Sequence, residues 1–264
     1  MKYTLFFTFF LASFLGAAEL RVVSLSPALT ELICHLGKEK LLVGRSDVCN
    51  VPASVKKLPV AGRFAVPYVE KVLALKPDLL VSNDFVNPGL KVTFERAGIR
   101  TLQLNCRSMA EYRSCVEKIG RELNASDAAA KEIKRIDTFL ASEKKPLGLS
   151  VLWVIWDMPL MTPGRRSHLN EIIELAGAVN ATGEFDMEYL RPSLDKLLKK
   201  KIDVIIWSAS GAGWKQRRVW RKFPAVQKNR VCAQFDQDAL LRPGPRLPDA
   251  VMQLRKMVED AGRL

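Results

Sequence analysis

The chain has 264 residues, of which 48% are hydrophobic and 26% charged, and it carries a formal net charge of +13 at pH 7. That length buries one large core or two modest ones. No long apolar run follows the first 18 residues, which excludes a chain threaded through a bilayer, and the basic excess points to anionic ligands or an anionic membrane face.

The N-terminus sets the expected compartment. Met1 and Lys2 give a positive start, Tyr3 to Leu15 is almost wholly apolar, and Gly16-Ala17-Ala18 supplies the small residues a signal peptidase needs. The apolar run is shorter than the about 20 residues of a membrane span. Residues 1–18 therefore read as a removable export signal, with the mature chain beginning near Glu19 in the periplasm. No Cys follows the small residues, so no lipoprotein anchor is expected. An exported protein rarely meets chromosomal DNA, so nucleic acid is not an expected partner.

The remaining sequence alternates short apolar segments with amphipathic ones. Arg21 to Leu25 reads as a strand, and Ser26 as the N-cap of a helix that has Pro27 in its first turn and ends near Gly37. Leu41 to Gly44 reads as a second strand. Val69, Val72 and Leu73 recur at helical spacing, and Lys76-Pro77 ends that helix before a strand at Asp78 to Val81. A helix from Pro88 to Ala97 and a strand from Ile99 to Leu104 follow, then a capping box of Ser108 and Glu111. This βα alternation predicts a parallel sheet covered by helices. From Ala125 to Lys145 the pattern predicts one helix of about twenty residues, roughly 30 Å long. The alternation then resumes, with strands at Leu149 to Ile155 and Asp203 to Trp207 and a helix at Leu169 to Leu175. The expected fold is α/β: two Rossmann-like lobes with parallel sheets, residues 19–124 and 148–264, joined by a single long α-helix over 125–147. A stiff connection of this kind predicts small closure motions.

An internal repeat supports two similar lobes. An offset of 125 residues carries Val69 to Leu73 onto Leu194 to Leu198, and Asp78 to Val81 onto Asp203 to Ile206. The same offset carries Phe64 onto Tyr189 and Glu70 onto Asp195. Glu70 and Asp195 near helix starts have two readings: local stabilisers at the positive helix end, or a matched pair of surface acids offered to a basic partner. Phe64 and Tyr189 at the lobe edge suit the cover of a flat ligand.

Other chemistry is thin. His35 and His168 form no HxxxH or HxxE array, and no GxSxG, Walker or GxGxxG motif follows a strand, so catalytic and metal sites are not expected. Cys34, Cys49, Cys106, Cys115 and Cys232 form no CxxC pair, and five leaves at least one thiol free. A local Cys106–Cys115 disulfide and buried free thiols are both open. All five tryptophans lie in the second half; Trp156 ends a strand and reads either as a cleft residue or as core. The stretch Trp214 to Lys222 interleaves aromatics with Lys215, Arg217, Arg218, Arg221 and Lys222, a solvated face or an anion-recognising one.

Several stretches in this order resemble a known family: Arg21-Val22-Val23-Ser24-Leu25-Ser26-Pro27 with Thr30-Glu31, then Val69 to Asp78, Thr162-Pro163-Gly164 with Ala176 to Asn180, and Arg242-Pro243-Gly244-Pro245-Arg246. The chain is similar to the helical-backbone periplasmic binding proteins of ABC importers for cobalamin, iron-siderophores and haem, and its last motif is most similar to the cobalamin-binding branch. The resemblance implies that Phe64, Met161 and Tyr189 line a cleft and that Arg242 or Arg246 donates from the final loop. It also implies that Glu70 and Asp195 dock to arginines of a permease that works with an ATPase. Trp156 and Asn83 complete the expected ligand-facing set, although aromatics expected near Val48 and Asn83 are absent and Asp195 replaces a more usual glutamate. The expected protein is a monomer without catalysis or resident cofactor that carries a metal chelate, cobalamin first, with an iron-siderophore or haem as the alternative; a secreted enzyme or interaction module is the rival class.

Overall fold

The computed structural model describes residues 19–263, so the expected export signal at 1–18 lies outside the described residues. Strand β1 (Val22–Ser24) is followed by helix α1 (Pro27–His35), where Pro27 removes an amide hydrogen that the first turn could not use. Ser26 is the N-cap residue in extended conformation, but its side chain makes no capping bond. Strands β2 (Leu42–Ser46), β3 (Val60–Arg63) and β4 (Val66–Pro67) precede helix α2 (Val69–Ala74), strand β5 (Leu79–Ser82), helix α3 (Gly89–Arg96) and strand β6 (Arg100–Gln103). They form one sheet in the order β4-β3-β2-β1-β5-β6, parallel except for the β3–β4 hairpin.

Helices α4 (Met109–Glu122) and α5 (Ser126–Ala141) then pack along each other. The Ser108 hydroxyl accepts the Glu111 amide at 3.1 Å as the capping box requires. The Glu111 carboxylate, however, returns to the Arg107 amide at 2.7 Å, one residue earlier than the motif predicts. Helix α5 is shorter than the sequence periodicity suggests. It ends at Ala141, where Lys144 Nζ folds back to donate to the Phe139 and Ser142 carbonyls at 2.9 and 3.2 Å, satisfying acceptors that a further turn would have used.

Beyond α5 come β7 (Ser150–Val154), β8 (Trp156–Asp157), β9 (Leu160–Pro163), α6 (His168–Leu175), β10 (Val179–Asn180), β11 (Tyr189–Leu190), α7 (Leu194–Leu198) and β12 (Val204–Trp207). Short helices α8 (Gly213–Gln216) and α9 (Pro224–Gln227), strand β13 (Val231–Cys232), and helices α10 (Gln237–Leu241) and α11 (Leu247–Arg263) complete the chain. The second parallel sheet has the order β10-β7-β12-β13, and β11-β9-β8 form a small antiparallel sheet beside it. The molecule is thus a mixed α/β protein with a parallel sheet on either side of α5.

The repeat is physical. At the 125-residue offset α2 falls on α7 and β5 on β12. The aspartate before each of those strands does the same work: Asp78 accepts the Arg21 amide at 2.8 Å, and Asp203 accepts the Ser150 amide at 2.8 Å. Each carboxylate satisfies an amide where the central strand of its sheet begins, a position the ladder leaves open.

A continuous apolar cluster crosses from one sheet to the other, with Ile33, Val116 and Ile136 at one end and Trp153, Leu247 and Val251 at the other. Set into it is Glu132 of α5, 2% exposed. Its carboxylate receives Arg135 at 2.7 and 2.8 Å, Tyr112 Oη at 2.9 Å and His35 Nε2 at 2.9 Å. Burial alone would push this carboxyl up, but these hydrogen bonds outweigh it and hold Glu132 at about 2, below its ordinary 4.5. A folded-state value below the unfolded one favours folding at pH above 4.5, and that contribution is lost as pH falls towards 2. We therefore expect Glu132→Ala to lower stability at pH 7 by about 3 kcal/mol, because Tyr112 and Arg135 lose their buried partner. The variant should also lose stability less steeply than the wild type between pH 5 and 2, as read from denaturant midpoints across that range.

Candidate functional site

The C-terminal ends of the parallel strands are where loops are free to carry ligand contacts. In the second lobe these loops are organised by a buried polar knot. The Asn180 amide donates to Asn170 Oδ1 and to the Pro163 carbonyl, both at 3.0 Å, and Asn180 Oδ1 accepts the Thr182 amide at 3.0 Å. Thr182 Oγ1 donates to the same Pro163 carbonyl at 2.8 Å. This knot explains why Thr162-Pro163-Gly164 and Asn180 stand out together in the sequence. Gly164 is required sterically, since a Cβ there would lie 2.4 Å from the Met187 carbonyl oxygen. The segment 185–188 is consequently laced to 164–166 through backbone bonds of 2.9–3.0 Å.

On this support stands an apolar wall. Trp156 pairs with Met161 across β8 and β9, and Tyr189 pairs with Pro163 across β9 and β11, so three of the ligand-facing positions expected from sequence share one small sheet. Met161 and Tyr189 line a groove of about 850 Å³ with Phe185 and Met187. Trp156 is 55% exposed, Met158 75% and Met187 49%, which is unusual for such large apolar groups in one neighbourhood. Burial pushes the Tyr189 phenol up. Next to Ser167, burial lowers His168 to about 4, so its ring is neutral at pH 7. Exposed Arg165, Arg166, Arg191 and Lys196 edge the wall, with Asp186 facing Arg165 at 3.3 Å and Arg166 at 3.8 Å. Phe185 and Met187 were not legible as site residues: they lie in a turn without periodicity, and the backbone bonds to 164–166 bring them into the groove with Tyr189.

The first lobe contributes Phe64, at the tip of the β3–β4 hairpin and 51% exposed. The hairpin is tight because Gly62 leaves room for the Val66 carbonyl, 2.5 Å from where a Cβ would sit. Asn83 follows β5 and donates to Asn105 Oδ1 at 3.2 Å, while its own Oδ1 is buried without a partner among the described residues.

Arg242 and Arg246 are placed otherwise than the resemblance implies. Arg246 binds the Glu31 carboxylate with two hydrogen bonds, 2.8 and 3.0 Å, and Asp236 with a third at 2.6 Å. Arg242 donates to Asn50 Oδ1 at 3.0 Å and pairs with Asp238 at 3.0 Å. The Pro245 carbonyl accepts from Arg135, and Gly244 packs on Ala28. The segment 242–246 is a strap laid from the second lobe onto α1 and α5, and its guanidinium groups are committed to that strap.

Glu70 and Asp195 are exposed in the first turns of α2 and α7, and neither has a hydrogen bond or ion pair among the described residues. The basic stretch 214–222 resolves into packing: Trp207 lies 5.1 Å from both Trp214 and Trp220, Trp220 donates to Asp157 at 2.9 Å, and Arg217 pairs with the same carboxylate. Its aromatics face inward and its remaining cations outward. No group of three or more metal-ligating side chains occurs among the described residues, and no described helix is long and apolar enough to cross a membrane.

Comparison with known proteins gives this geometry a context. The profile of a periplasmic binding protein family matches residues 22–234. A vitamin B12-binding protein of Vibrio cholerae is 25% identical over 244 residues, covering 89% of this chain and 87% of that one. The solved periplasmic vitamin B12-binding protein BtuF of Vibrio cholerae superposes with a TM-score of 0.76 at 23% identity, covering 92% of this chain and 98% of that one. The periplasmic heme-binding protein BhuT, in complex with two hemes, superposes with a TM-score of 0.79 at 26% identity, covering 91% and 98%.

The strap is open to a direct check. Arg246→Ala strands Glu31, which is 7% exposed, and should cost about 3 kcal/mol in a denaturant melt. Glu31→Gln in the same background should recover part of that loss. Full stability of the single variant would mean that the ion pair does not hold the lobes.

Proposed function

This chain belongs to the periplasmic binding protein family, and we propose that it captures a flat metal–tetrapyrrole, a cobalamin in the first instance, and hands it to the permease of an ABC importer. Family members are substrate-binding proteins rather than enzymes. The observation that carries the ligand reading is the apolar groove of Met161, Phe185, Met187 and Tyr189, with exposed Trp156 paired to Met161 in the same small sheet, on the support of the Asn180 knot. A broad, polarisable apolar face suits a rigid macrocycle, since such a ligand loses little conformational freedom on binding. Phe64 on the first lobe supplies the opposing aromatic. Haem is the second reading, favoured by Arg165, Arg166, Arg191 and Lys196 at the edge of the wall, because cations suit carboxylate groups on a ligand. Export through residues 1–18 places the protein with its ligand in the periplasm.

Titration of the purified mature chain with cyanocobalamin, haemin and a ferric siderophore, followed by visible absorbance and calorimetry, tests the ligand class. Saturable 1:1 binding of a tetrapyrrole is expected. Phe64→Ala and Tyr189→Ala should each weaken it by about 1 to 3 kcal/mol, roughly 5- to 150-fold in Kd. Binding of the siderophore alone, or unchanged affinity in both folded variants, overturns the reading.

Glu70 and Asp195, on matched helices and outside the wall, are proposed as the two contacts to cationic groups of the permease. The Glu70→Ala, Asp195→Ala double variant should keep its ligand affinity and lose permease affinity by more than either single change, with about 2 to 5 kcal/mol at stake where such pairs are desolvated. A lowered Tm with normal docking to the reconstituted transporter would instead make them helix-end stabilisers.

A further inference from the structure

We propose that Cys106 and Cys115 form an intramolecular disulfide that pins the start of α4 at the seam between the lobes. The two sulfurs are in contact at 2.9 Å, and both residues are buried, with 8% and 2% exposure. A disulfide bond is about 2.0 Å long, so closing the gap takes about 0.9 Å of movement shared between two side chains. No other pair of cysteine sulfurs is in contact among the described residues. Cys49 faces the hydroxyls of Thr30 and Ser46, and Cys232 faces the Met257 carbonyl. A shared metal is the other common use of adjacent thiols, but it needs further ligands, and no group of three or more occurs among the described residues.

The position gives the bond a consequence. Cys106 lies in the turn from β6 into α4, and Cys115 lies within that helix. The same turn carries Asn105, which bonds to Asn83 and Asp84, and it leads into Met109, whose amide reaches the Glu171 carboxylate of α6 in the other lobe at 3.3 Å. Fixing Cys106 to α4 holds the first turn of the helix where that contact between the lobes is made. A short loop between the cysteines also means that the bond forms without long-range rearrangement.

The chemistry is exchange with a disulfide oxidant such as oxidised glutathione. Cys115 accepts a hydrogen bond from Cys106, which together with Lys118 lowers its pKa and favours the thiolate. During refolding, before α4 packs and buries both sulfurs, the Cys115 thiolate attacks one sulfur of the oxidant, forming a mixed disulfide and releasing one thiolate. Cys106 then loses its proton and attacks the Cys115 sulfur, releasing the second thiolate. Two protein thiols are oxidised, one oxidant disulfide is reduced, and the two protons end on the two leaving thiols.

The test uses the full chain, unfolded under reducing conditions, refolded with reduced and oxidised glutathione, then denatured, alkylated and mapped by peptide mass. The expected result is that Cys34, Cys49 and Cys232 are alkylated while Cys106 and Cys115 are joined in one cross-linked peptide. The oxidised wild type should melt about 4 to 10 °C above the reduced wild type. Cys106→Ser and Cys115→Ser should show no such difference between the two conditions. Alkylation of all five cysteines after refolding in excess oxidant, or a cross-link between another pair, overturns the proposal. An unchanged Tm on reduction overturns the pinning. Because the comparison is made in vitro on one wild-type protein, it does not depend on export, ligand identity or the folding of a variant.

Discussion

Glu31 lies on α1 with its carboxylate almost wholly buried, and the group that answers its charge comes from the far end of the chain. An isolated carboxylate in that position is unfavourable by several kcal/mol, so Arg246 must sit over it wherever the C-terminal segment goes. That single requirement places the strap 242–246 on α1. With it come the Arg242–Asn50 bond, the Pro245 carbonyl on Arg135, and the direction in which α11 leaves. Arg135 in turn is held by Glu132 on the same helix, whose carboxylate also gathers Tyr112 of α4 and His35 at the end of α1. The Arg246–Glu31 pair and the Arg135 bond to the Pro245 carbonyl thus tie α1 and α5 to the strap that leads into α11. The apolar cluster runs unbroken beneath them.

A seam built this way constrains motion more than the helix between the lobes does. The sequence presents α5 as a spacer of about twenty residues; its 16 residues also pack along α4. Opening the lobes would have to draw Glu31 away from Arg246 or Glu171 away from the Met109 amide, and both carboxylates are poorly exposed. The Asn180 knot and the packing of Gly164 hold the segment 185–188 against 164–166 independently of that seam.

What could be read from sequence follows physical range. The βα alternation, the parallel sheets and the 125-residue repeat are local patterns, and Asp78 and Asp203 show that the repeat preserves a hydrogen-bonding job rather than only a spacing. Trp156, Met161 and Tyr189, named from a strand end, from the family resemblance and from the repeat respectively, share one small sheet. The contacts of Arg242 and Arg246 could not be read from the sequence because two of their partners, Asn50 and Glu31, lie some 200 residues away in the chain. A motif of arginines and prolines near a cleft looks the same whether its cations face a ligand or a carboxylate. Phe185 and Met187 escaped for a related reason: nothing local distinguishes an exposed apolar turn residue from an ordinary one until distant backbone bonds set it beside others.

In the proposed reading, with Arg242 and Arg246 paired at the seam, charge on a ligand meets the cations around the wall. Asp186 faces Arg165 and Arg166, so a ligand carboxylate approaching either must displace or tolerate an existing anion. Arg191 and Lys196 have no ion pair among the described residues and lie in the groove with Met161 and Tyr189. A ligand with anionic groups therefore gains most by directing them towards Arg191 and Lys196, whereas a ligand bearing neutral amides loses little anywhere along the wall. In the proposed reading, Arg191 and Lys196 are the side chains that would separate a macrocycle edged with carboxylates from one edged with amides.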